Sequence, residues 1–159
     1  MSFSANTTFR MLFGVVLLFA VAACSSTPDR LGDANGSTAT PGSAQDFVVN
    51  VGDRVFFETD STDLNYSAQA TLDNQAVWLN QYPNYRIAIE GHADERGTRE
   101  YNIALGARRA NAVQNYLVSK GVAANRMTTK SYGKERPVAV CNDISCWSQN
   151  RRAVTALAN

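Results

Sequence analysis

The chain has 159 residues, with 15 Lys or Arg against 14 Asp or Glu and a formal net charge of +1 at pH 7. This balance argues against a nucleic-acid binder that works through a basic surface field, so any charged ligand must be recognised by individually placed side chains.

The N-terminus carries a short apolar run, "MLFGVVLLFAVAAC", which ends at Cys24. This run is too short for a membrane-spanning helix, which needs about 20 residues, and it suits the core of a secretory signal peptide, predicted here as residues 1–23. The small residues directly before Cys24 resemble a bacterial lipobox, in which the cysteine is lipidated and becomes the new N-terminus. A buried helix with an incidental cysteine is the alternative interpretation.

Lipidation of Cys24 predicts attachment to a membrane. One lipid chain binds a membrane only marginally, whereas bacterial lipoproteins of this kind are triply acylated, so the anchor is expected to be firm. Ser25 follows the cysteine in place of Asp, and by resemblance this favours release to the outer membrane, with the domain facing the periplasm. Removal of the signal peptide takes away Arg10 and no acidic residue, which leaves 14 basic and 14 acidic residues.

Residues 24–45 form a polar stretch rich in Ser, Thr, Gly, Ala, Pro and Asp, and they are predicted to be a disordered tether. A coil of this length spans roughly 25 Å, and its full extension is about 70 Å. The remaining residues, 46–159, are enough for one small domain, which can lie some distance from the membrane that holds Cys24.

The spacing of apolar residues along 46–159 indicates both strands and helices. It predicts, in chain order, a strand at 53–58, a helix at 67–82 that stops at Pro83, a strand at 85–91, a long helix from the N-cap Thr98 to Lys120 before Gly121, and strands at 126–133 and 151–158. This order predicts an α+β fold (an α/β sandwich), with two main helices packed on one face of a four-stranded mixed sheet.

The stretch "GHADERGTREYNIALGARRANAV", Gly91–Val113, gathers charged side chains around the single histidine of the chain. At about 100° per residue, Asn102 and Arg109 lie at the edge of the helical stripe that packs on the sheet, whereas Arg108 points into solvent. Asp94 follows the second strand, and the end of a strand lies beside the first turns of the next helix. We therefore expect Asp94 and Arg109 to flank one crevice.

Two interpretations of this crevice stay open. Asp94 and Arg109 could form a plain structural ion pair. Alternatively, they could bind a zwitterion, with its ammonium on Asp94 and its carboxylate forked by Arg109.

Metal-binding and catalytic alternatives have weaker support. His92 is the only histidine, and apart from Asp94 no further metal ligand lies nearby in the sequence. No Ser or Cys stands where a hydrolase would need its nucleophile. Asp94 with Glu95 or Glu100 could supply the paired carboxylates of a glycosidase, but adjacent carboxylates in an extended loop are expected to point apart. We therefore predict a binding protein without a catalytic site, metal or cofactor, in which His92 is a structural residue hydrogen-bonded near the strand end.

The segments "GHADERGTREYNIALGARRANAVQNYLVSKGV", "SYGKERPV" and "NRRAV" resemble the OmpA-like peptidoglycan-binding domain family, and the resemblance covers all of 46–159. It implies non-covalent binding of peptidoglycan through the diaminopimelate of the stem peptides, which ends in an ammonium and a carboxylate on one carbon. By motif position, it implies that Asp94 takes the ammonium and Arg109 the carboxylate. The further ligand contacts that it implies are Asn102, Arg151 and Asp60.

The resemblance also implies a protein partner. Lipid-anchored members of the family bind the periplasmic propeller protein TolB through a surface that overlaps the peptidoglycan site, within the Tol complex that draws the outer membrane inward at cell division. Glu95, Arg96 and Tyr101 are the candidates for this contact. A solvated surface charge, or for Tyr101 a packed ring, is the alternative interpretation of each.

The sequence departs from the usual family pattern at Arg99, where proline is common, and at Cys141 and Cys146 in the loop before the last strand. Two cysteines this close together in an oxidising compartment favour a disulfide. Two unpaired thiols are the alternative, since the sequence does not show whether the Cα atoms come within about 7 Å.

Overall fold

The structure, a computed structural model, describes residues 39–158. The predicted signal peptide, Cys24 and most of the predicted tether lie outside this range. Within the range, the elements follow in the order α1 (Ala44–Asp46) with a π-helical continuation (Phe47–Gly52), β1 (Arg54–Phe56), α2 (Tyr66–Gln81), β2 (Arg86–His92), α3 (Arg99–Ser119), a 3₁₀ turn (Ala124–Arg126), β3 (Met127–Gly133), α4 (Ile144–Asn150) and β4 (Arg152–Ala158). None of these helices is long and apolar enough to cross a membrane.

The four strands form one mixed sheet in the order β1-β4-β2-β3. Strand β4 pairs antiparallel with both β1 and β2, whereas β2 and β3 are parallel. The pairing of β2 with β3 shifts register between Gly91 and His92, where β2 ends. The predicted α+β fold with a four-stranded mixed sheet is confirmed, and the crevice described below lies at this end of β2.

Helices α2 and α3 cover one face of the sheet and bury the core there. The alternation predicted for β2 is observed, because Ile87 and Ile89 are buried whereas Arg86 is exposed. Full burial of an aliphatic side chain of this size contributes about 1.5–3 kcal/mol. The buried apolar side chains of the two helices are Ala68, Leu72, Ala76, Trp78, Leu79, Leu105, Ala110, Val113 and Leu117.

Helix α3 begins and ends where the sequence predicts. The hydroxyl of Thr98 accepts a hydrogen bond from the backbone N–H of Tyr101 at 3.2 Å, which satisfies one of the free donors of the first turn. Gly121 follows the last turn with φ +91, a conformation that costs glycine little. These caps fix the register of the helix that carries Asn102 and Arg109.

Two glycines bring α3 directly against β2. A Cβ built on Gly91 would lie closer than 3.0 Å to the backbone of Gly106, and a Cβ on Gly106 would meet Gly91 in the same way. Real Cβ atoms do not approach backbone this closely, so the contact requires glycine on both elements. The first half of α3 is thereby held over the end of β2.

The folded part of the chain begins earlier than the predicted boundary between residues 45 and 46. Helix α1 starts at Ala44, and the hydroxyl of Ser43 accepts a hydrogen bond from the N–H of Asp46 at 3.1 Å. The hydroxyl of Tyr85 donates to the carbonyl of Gly42 at 2.8 Å. Since these contacts hold the backbone from about Gly42 onward, the prediction of a disordered tether up to residue 45 is wrong at its C-terminal end.

Helix α4 was not predicted, because seven residues are too few to show a helical period. Its N-cap is Asp143, whose side chain accepts a hydrogen bond from the N–H of Ser145 at 2.7 Å. The structure joins Cys141 to Cys146 in a disulfide, with Cα atoms 5.7 Å apart. The bridge therefore ties the first turn of α4 to the preceding loop.

Candidate functional site

The candidate site is a crevice between the loop that follows β1 and the segment that leads from β2 into α3. Its cavity has a volume of about 300 Å³. The residues that line it are Thr59, Asp60, Asp94, Arg96, Gly97, Tyr101, Asn102, Leu105 and Arg109. The fold thus brings together four of the residues predicted to contact a ligand, namely Asp60, Asp94, Asn102 and Arg109.

Asp94 lines the crevice and is 7% exposed. Its carboxylate accepts hydrogen bonds from Nη2 of Arg96 at 2.6 Å, from Nε of Arg96 at 3.1 Å and from the backbone N–H of Arg96 at 3.1 Å. Burial by itself raises the pKa of Asp94, but the hydrogen bonds and charge of Arg96, assisted by Arg151, outweigh it and hold the pKa below its ordinary value. Asp94 is therefore a buried carboxylate that stays ionised.

Arg109 is completely buried, with 0% exposure, although it forms part of the crevice wall. Its guanidinium donates to the carbonyls of Ser61 at 2.9 Å, His92 at 2.8 Å and Glu58 at 3.1 Å. Burial, followed by the positive charge of Arg151, lowers the pKa of Arg109 to about 10, so the guanidinium is still protonated near neutral pH. Since a guanidinium has about five N–H donors, about two remain for another acceptor.

Asp94 and Arg109 do not form the ion pair that the sequence left open. In the part of the chain that the structure describes, the carboxylate of Asp94 pairs with Arg96 at 2.6 Å and with Arg151 at 3.5 Å. Arg109 contacts carbonyl oxygens and is absent from the ion pairs of the described residues. The interpretation of a plain structural pair is therefore wrong.

Asn102 and Asp60 lie on opposite walls of the crevice. Asn102 is 2% exposed, and its Nδ2 donates to the carbonyl of Arg96 at 2.7 Å, which holds the loop against α3. Asp60 is exposed and has φ 56, and its carboxylate accepts a hydrogen bond from the hydroxyl of Tyr101. Tyr101, predicted as a partner contact, therefore also bridges the two walls.

Arg151 lies behind Asp94 and does not line the crevice. It is 4% exposed, its Nε donates to the carbonyl of Phe57 at 2.9 Å, and its Nη1 reaches Asp94 at 3.5 Å. The direct contact of Arg151 with the ligand that the resemblance implies stays a prediction. In the structure, Arg151 donates to the carboxylate of Asp94 and helps to hold its pKa below the ordinary value.

The loop after β2 is tied to α4 through Trp147, a residue that no sequence pattern singles out. The guanidinium of Arg96 lies 4.3 Å from the centre of the Trp147 ring, a cation–π contact. The indole N–H of Trp147 donates to the carboxylate of Glu95 at 3.0 Å. Glu95 and Arg96 are therefore held in place, unlike the free surface charges of the alternative interpretation. The sequence could not show this, because Trp147 lies far along the chain on an unpredicted helix.

His92 is buried, with 2% exposure, at the end of β2. The prediction that its ring is hydrogen-bonded is wrong, because neither ring nitrogen has a hydrogen-bond partner among the described residues. The ring stacks on Tyr132 with 5.5 Å between centres. Burial, followed by the charges of Arg152 and Arg136, lowers the pKa of His92 to about 4. The ring is therefore neutral at neutral pH and acts as a packed core side chain.

Comparison with known proteins agrees with this architecture. The sequence pattern of the OmpA family matches residues 56–151. The peptidoglycan-associated lipoprotein of Rhizobium meliloti (strain 1021) is 65% identical over 152 residues, which cover 92% of this chain and 86% of that protein. The peptidoglycan-associated lipoprotein of Mesorhizobium japonicum is 62% identical over 160 residues, covering 98% of this chain and 95% of that protein.

Solved structures show the same fold. The crystal structure of the peptidoglycan-associated lipoprotein from Burkholderia pseudomallei has a TM-score of 0.65 and 43% identity, covering 67% of this chain and 90% of that one. The C-terminal domain of Helicobacter pylori MotB has a TM-score of 0.63 at 24% identity, covering 67% of this chain and 84% of that one, and it supports the fold alone. The chain therefore belongs to the OmpA family and, within it, to the peptidoglycan-associated lipoproteins.

Proposed function

We propose that this protein is an outer-membrane lipoprotein, anchored through lipid on Cys24, that binds the diaminopimelate of peptidoglycan stem peptides non-covalently. It would thereby link the outer membrane to the cell wall without catalysing a reaction. The observation that carries the proposal is the crevice itself, in which the buried carboxylate of Asp94 and the buried guanidinium of Arg109 line one cavity.

The charges in the crevice favour a ligand that brings a carboxylate. Arg109 is fully buried, its contacts are neutral carbonyl groups, and Arg151 adds a second buried cation nearby. Asp94 and Asp60 attract Arg109 from a distance, but among the described residues no carboxylate bonds to it directly. A buried charge without a bonded counter-ion is costly, so a carboxylate at the free donors of Arg109 would be strongly favoured. Asp94 supplies the opposite charge for an ammonium on the same ligand, as at the end of diaminopimelate.

The size of the cavity limits what can enter. A volume of about 300 Å³ is at the lower end of the range for small-molecule sites. It suits the zwitterionic end of one amino-acid side chain, and a whole glycan disaccharide would have to stay outside. This supports recognition of the stem peptide.

The position of the crevice suits a tether. The chain enters the folded part at Gly42, which is bonded to Tyr85 just before β2 begins, whereas the crevice lies beyond the other end of β2. Seven strand residues span roughly 20 Å. A ligand in the crevice would therefore lie across the domain from the segment that leads towards Cys24.

A protein partner is the second part of the proposal. We propose that the exposed rim of the crevice, with Glu95, Arg96 and Tyr101, also binds TolB and so connects the protein to the Tol complex in cell division. Because these residues adjoin Asp94, TolB and peptidoglycan would compete for the protein. Displacement of TolB by soluble peptidoglycan fragments in a pull-down would support this, and simultaneous binding of both would contradict it.

The experiment that tests the main proposal uses the full-length lipoprotein in detergent and purified sacculi. We expect the protein to sediment with the sacculi, and free diaminopimelate to release it. Released muropeptides would instead identify an envelope enzyme. An adaptor that binds only proteins would neither sediment nor release fragments.

The lipid anchor has a separate test. The Cys24→Ser protein should be lost from the outer-membrane fraction once the sacculi are digested, because it lacks the lipid. If it stays with that fraction in high salt and urea, the proposal that Cys24 carries the anchor is wrong.

A further inference from the structure

Asp94 has no room for an ammonium in the structure as it stands. A carboxylate offers about four lone-pair positions. In this structure Oδ1 accepts from the backbone N–H and from Nε of Arg96, and Oδ2 accepts from Nη2 of Arg96 and from Nη1 of Arg151. A ligand ammonium can reach Asp94 only if one of these donors leaves.

The side chain of Arg96 is the donor that can leave. Its side chain is 41% exposed, whereas that of Arg151 is 5% exposed and is also bonded to the carbonyl of Phe57. Moving Arg96 requires only rotations about its own side-chain bonds, because its backbone N–H can stay on Oδ1. Arg151 could move only by opening the core.

Arg96 also closes the crevice from one wall to the other. Besides its two side-chain bonds to Asp94, its Nη2 lies 3.4 Å from the hydroxyl of Thr59, which belongs to the opposite wall. The guanidinium therefore stands over the carboxylate that the proposed ligand needs. Its two N–H groups on Asp94 occupy the place that an ammonium would take.

Trp147 stabilises this position from the outer side. Its ring lies 4.3 Å from the guanidinium carbon of Arg96, and its indole N–H is fixed by Glu95 at 3.0 Å. A cation on an aromatic face at a partly exposed site is favoured by about two- to five-fold. The ring therefore holds the closed position of Arg96 and offers a surface along which the guanidinium can slide outward.

We propose that Arg96 is an internal latch, which occupies the ammonium position on Asp94 in the free protein and is held there by Trp147. Ligand binding exchanges the guanidinium of Arg96 for the ammonium of the ligand. This inference rests on the proposed function, and it adds that the affinity for diaminopimelate is set partly by a competitor within the chain.

The test compares the affinity of four variants for free diaminopimelate by calorimetry, using the full-length lipoprotein in detergent. Arg96→Gln removes the competing charge and should bind about ten-fold more tightly, the effect of one charge-assisted hydrogen bond. Trp147→Leu removes only the support of the latch and should bind about two- to five-fold more tightly. Asp94→Asn should lose binding.

Arg99→Gln is the matched control. Arg99 is the first residue of α3, three positions after Arg96, and it pairs at 3.1 Å with Glu135. Both side chains are largely exposed, and neither contacts Asp94. The Arg99→Gln variant removes one positive charge from the same region but leaves Asp94 and Arg96 unchanged, so it should bind diaminopimelate like the wild type. An increase equal to that of Arg96→Gln would show a general charge effect and would overturn the latch.

The outcomes separate the latch from the proposed function. If Arg96→Gln binds no more tightly than the wild type while Asp94→Asn loses binding, the latch is wrong and the proposed site stands. If the wild type and Arg96→Gln both fail to bind diaminopimelate, the proposed function is wrong, and the latch falls with it.

Discussion

Asp94 and Arg109 line one crevice, yet their side chains do not bond to each other. Each is held by other residues. Asp94 is bonded chiefly to Arg96, an exposed side chain on its own loop. Arg109 is bonded to three backbone carbonyls of the surrounding loops and strand end. The two charges therefore contribute differently to folding, and their replacement should have different consequences.

Replacement of Arg109 should lower stability as well as binding. In Arg109→Ala, the carbonyls of Ser61, His92 and Glu58 lose their donors and a buried volume is emptied. An unsatisfied buried group costs about 1–3 kcal/mol, so the free energy of unfolding should fall by about 3 kcal/mol or more. Urea denaturation followed by circular dichroism measures this.

Arg108→Ala is the control for this variant. Arg108 is the next residue on α3, but it is exposed, and its guanidinium lies 5.9 Å from the ring of Tyr101. Its loss should change the free energy of unfolding by less than about 0.5 kcal/mol. Equal losses in the two variants would contradict the role given to Arg109.

Asp94→Asn should affect binding more than folding. The amide keeps the size of the side chain but removes the charge that would hold an ammonium. Binding to sacculi should weaken by roughly thirty- to a thousandfold, or about 2–4 kcal/mol. Asp63→Asn, at an exposed carboxylate beyond the crevice, should bind normally. Normal sedimentation of a folded Asp94→Asn protein would remove Asp94 from the proposed site.

The sequence predicted the elements and residues whose positions follow from local periodicity. The burial of Arg109 and exposure of Arg108 follow from the helical period of α3, and the cap at Thr98 follows from its side chain. The contacts that decide the state of the crevice are not local. Arg96 meets Trp147 from a distant part of the chain, and the short helix that carries Trp147 has no detectable period.

Long-range contacts account for what local periodicity does not show. The family resemblance places Arg151 at the ligand, and this stays a prediction, because motif position does not show whether a side chain reaches the cavity or the carboxylate behind it. The early start of the fold at Gly42 depends on the hydroxyl of Tyr85, 43 positions further along the chain. Such pairings become visible only once the strands and helices are placed.

His92 should make the stability of the domain depend on pH between about 6.5 and 4. Burial lowers its pKa from 6.5 to about 4, with further lowering by Arg152 and Arg136. The unfolded chain therefore takes up the proton first as the pH falls, so the stability present above 6.5 is lost between 6.5 and 4. Over this range the free energy of unfolding should fall by about 3 kcal/mol.

His92→Phe is the matched variant, since its ring can still stack on Tyr132 and does not titrate. Other charged groups nearby are Glu90, whose carboxylate lies 3.9 Å from the ring, and Lys130 and Arg136, which lie over Tyr132. Urea unfolding at pH 7, 5.5 and 4.5 gives the free energy of unfolding of both proteins, and its dependence on pH should be weaker for His92→Phe. If the wild type and His92→Phe lose stability equally, His92 is not the group responsible.

The disulfide between Cys141 and Cys146 should stabilise α4 directly and the whole domain only modestly. The bridge closes a loop with a sequence separation of 5. Closing so short a loop reduces the conformational entropy of the unfolded chain, which stabilises the folded state by about 2 kcal/mol. The double variant Cys141→Ser, Cys146→Ser should therefore remain folded with a free energy of unfolding lower by about that amount. Mass spectrometry of the alkylated, unreduced protein shows whether the bridge forms, since two alkylated thiols would mean that it is absent.

The same variant should also change the environment of Trp147. Helix α4 begins beside the bridge and carries Trp147, which contacts Arg96 and Glu95. When the bridge is lost, hydrogen exchange of the backbone amides should rise most in residues 144–150 and much less in α2 and α3, where it follows only the small change in the free energy of global unfolding. Exchange that rises equally across the whole domain would show that the disulfide supports the global fold instead of this one helix.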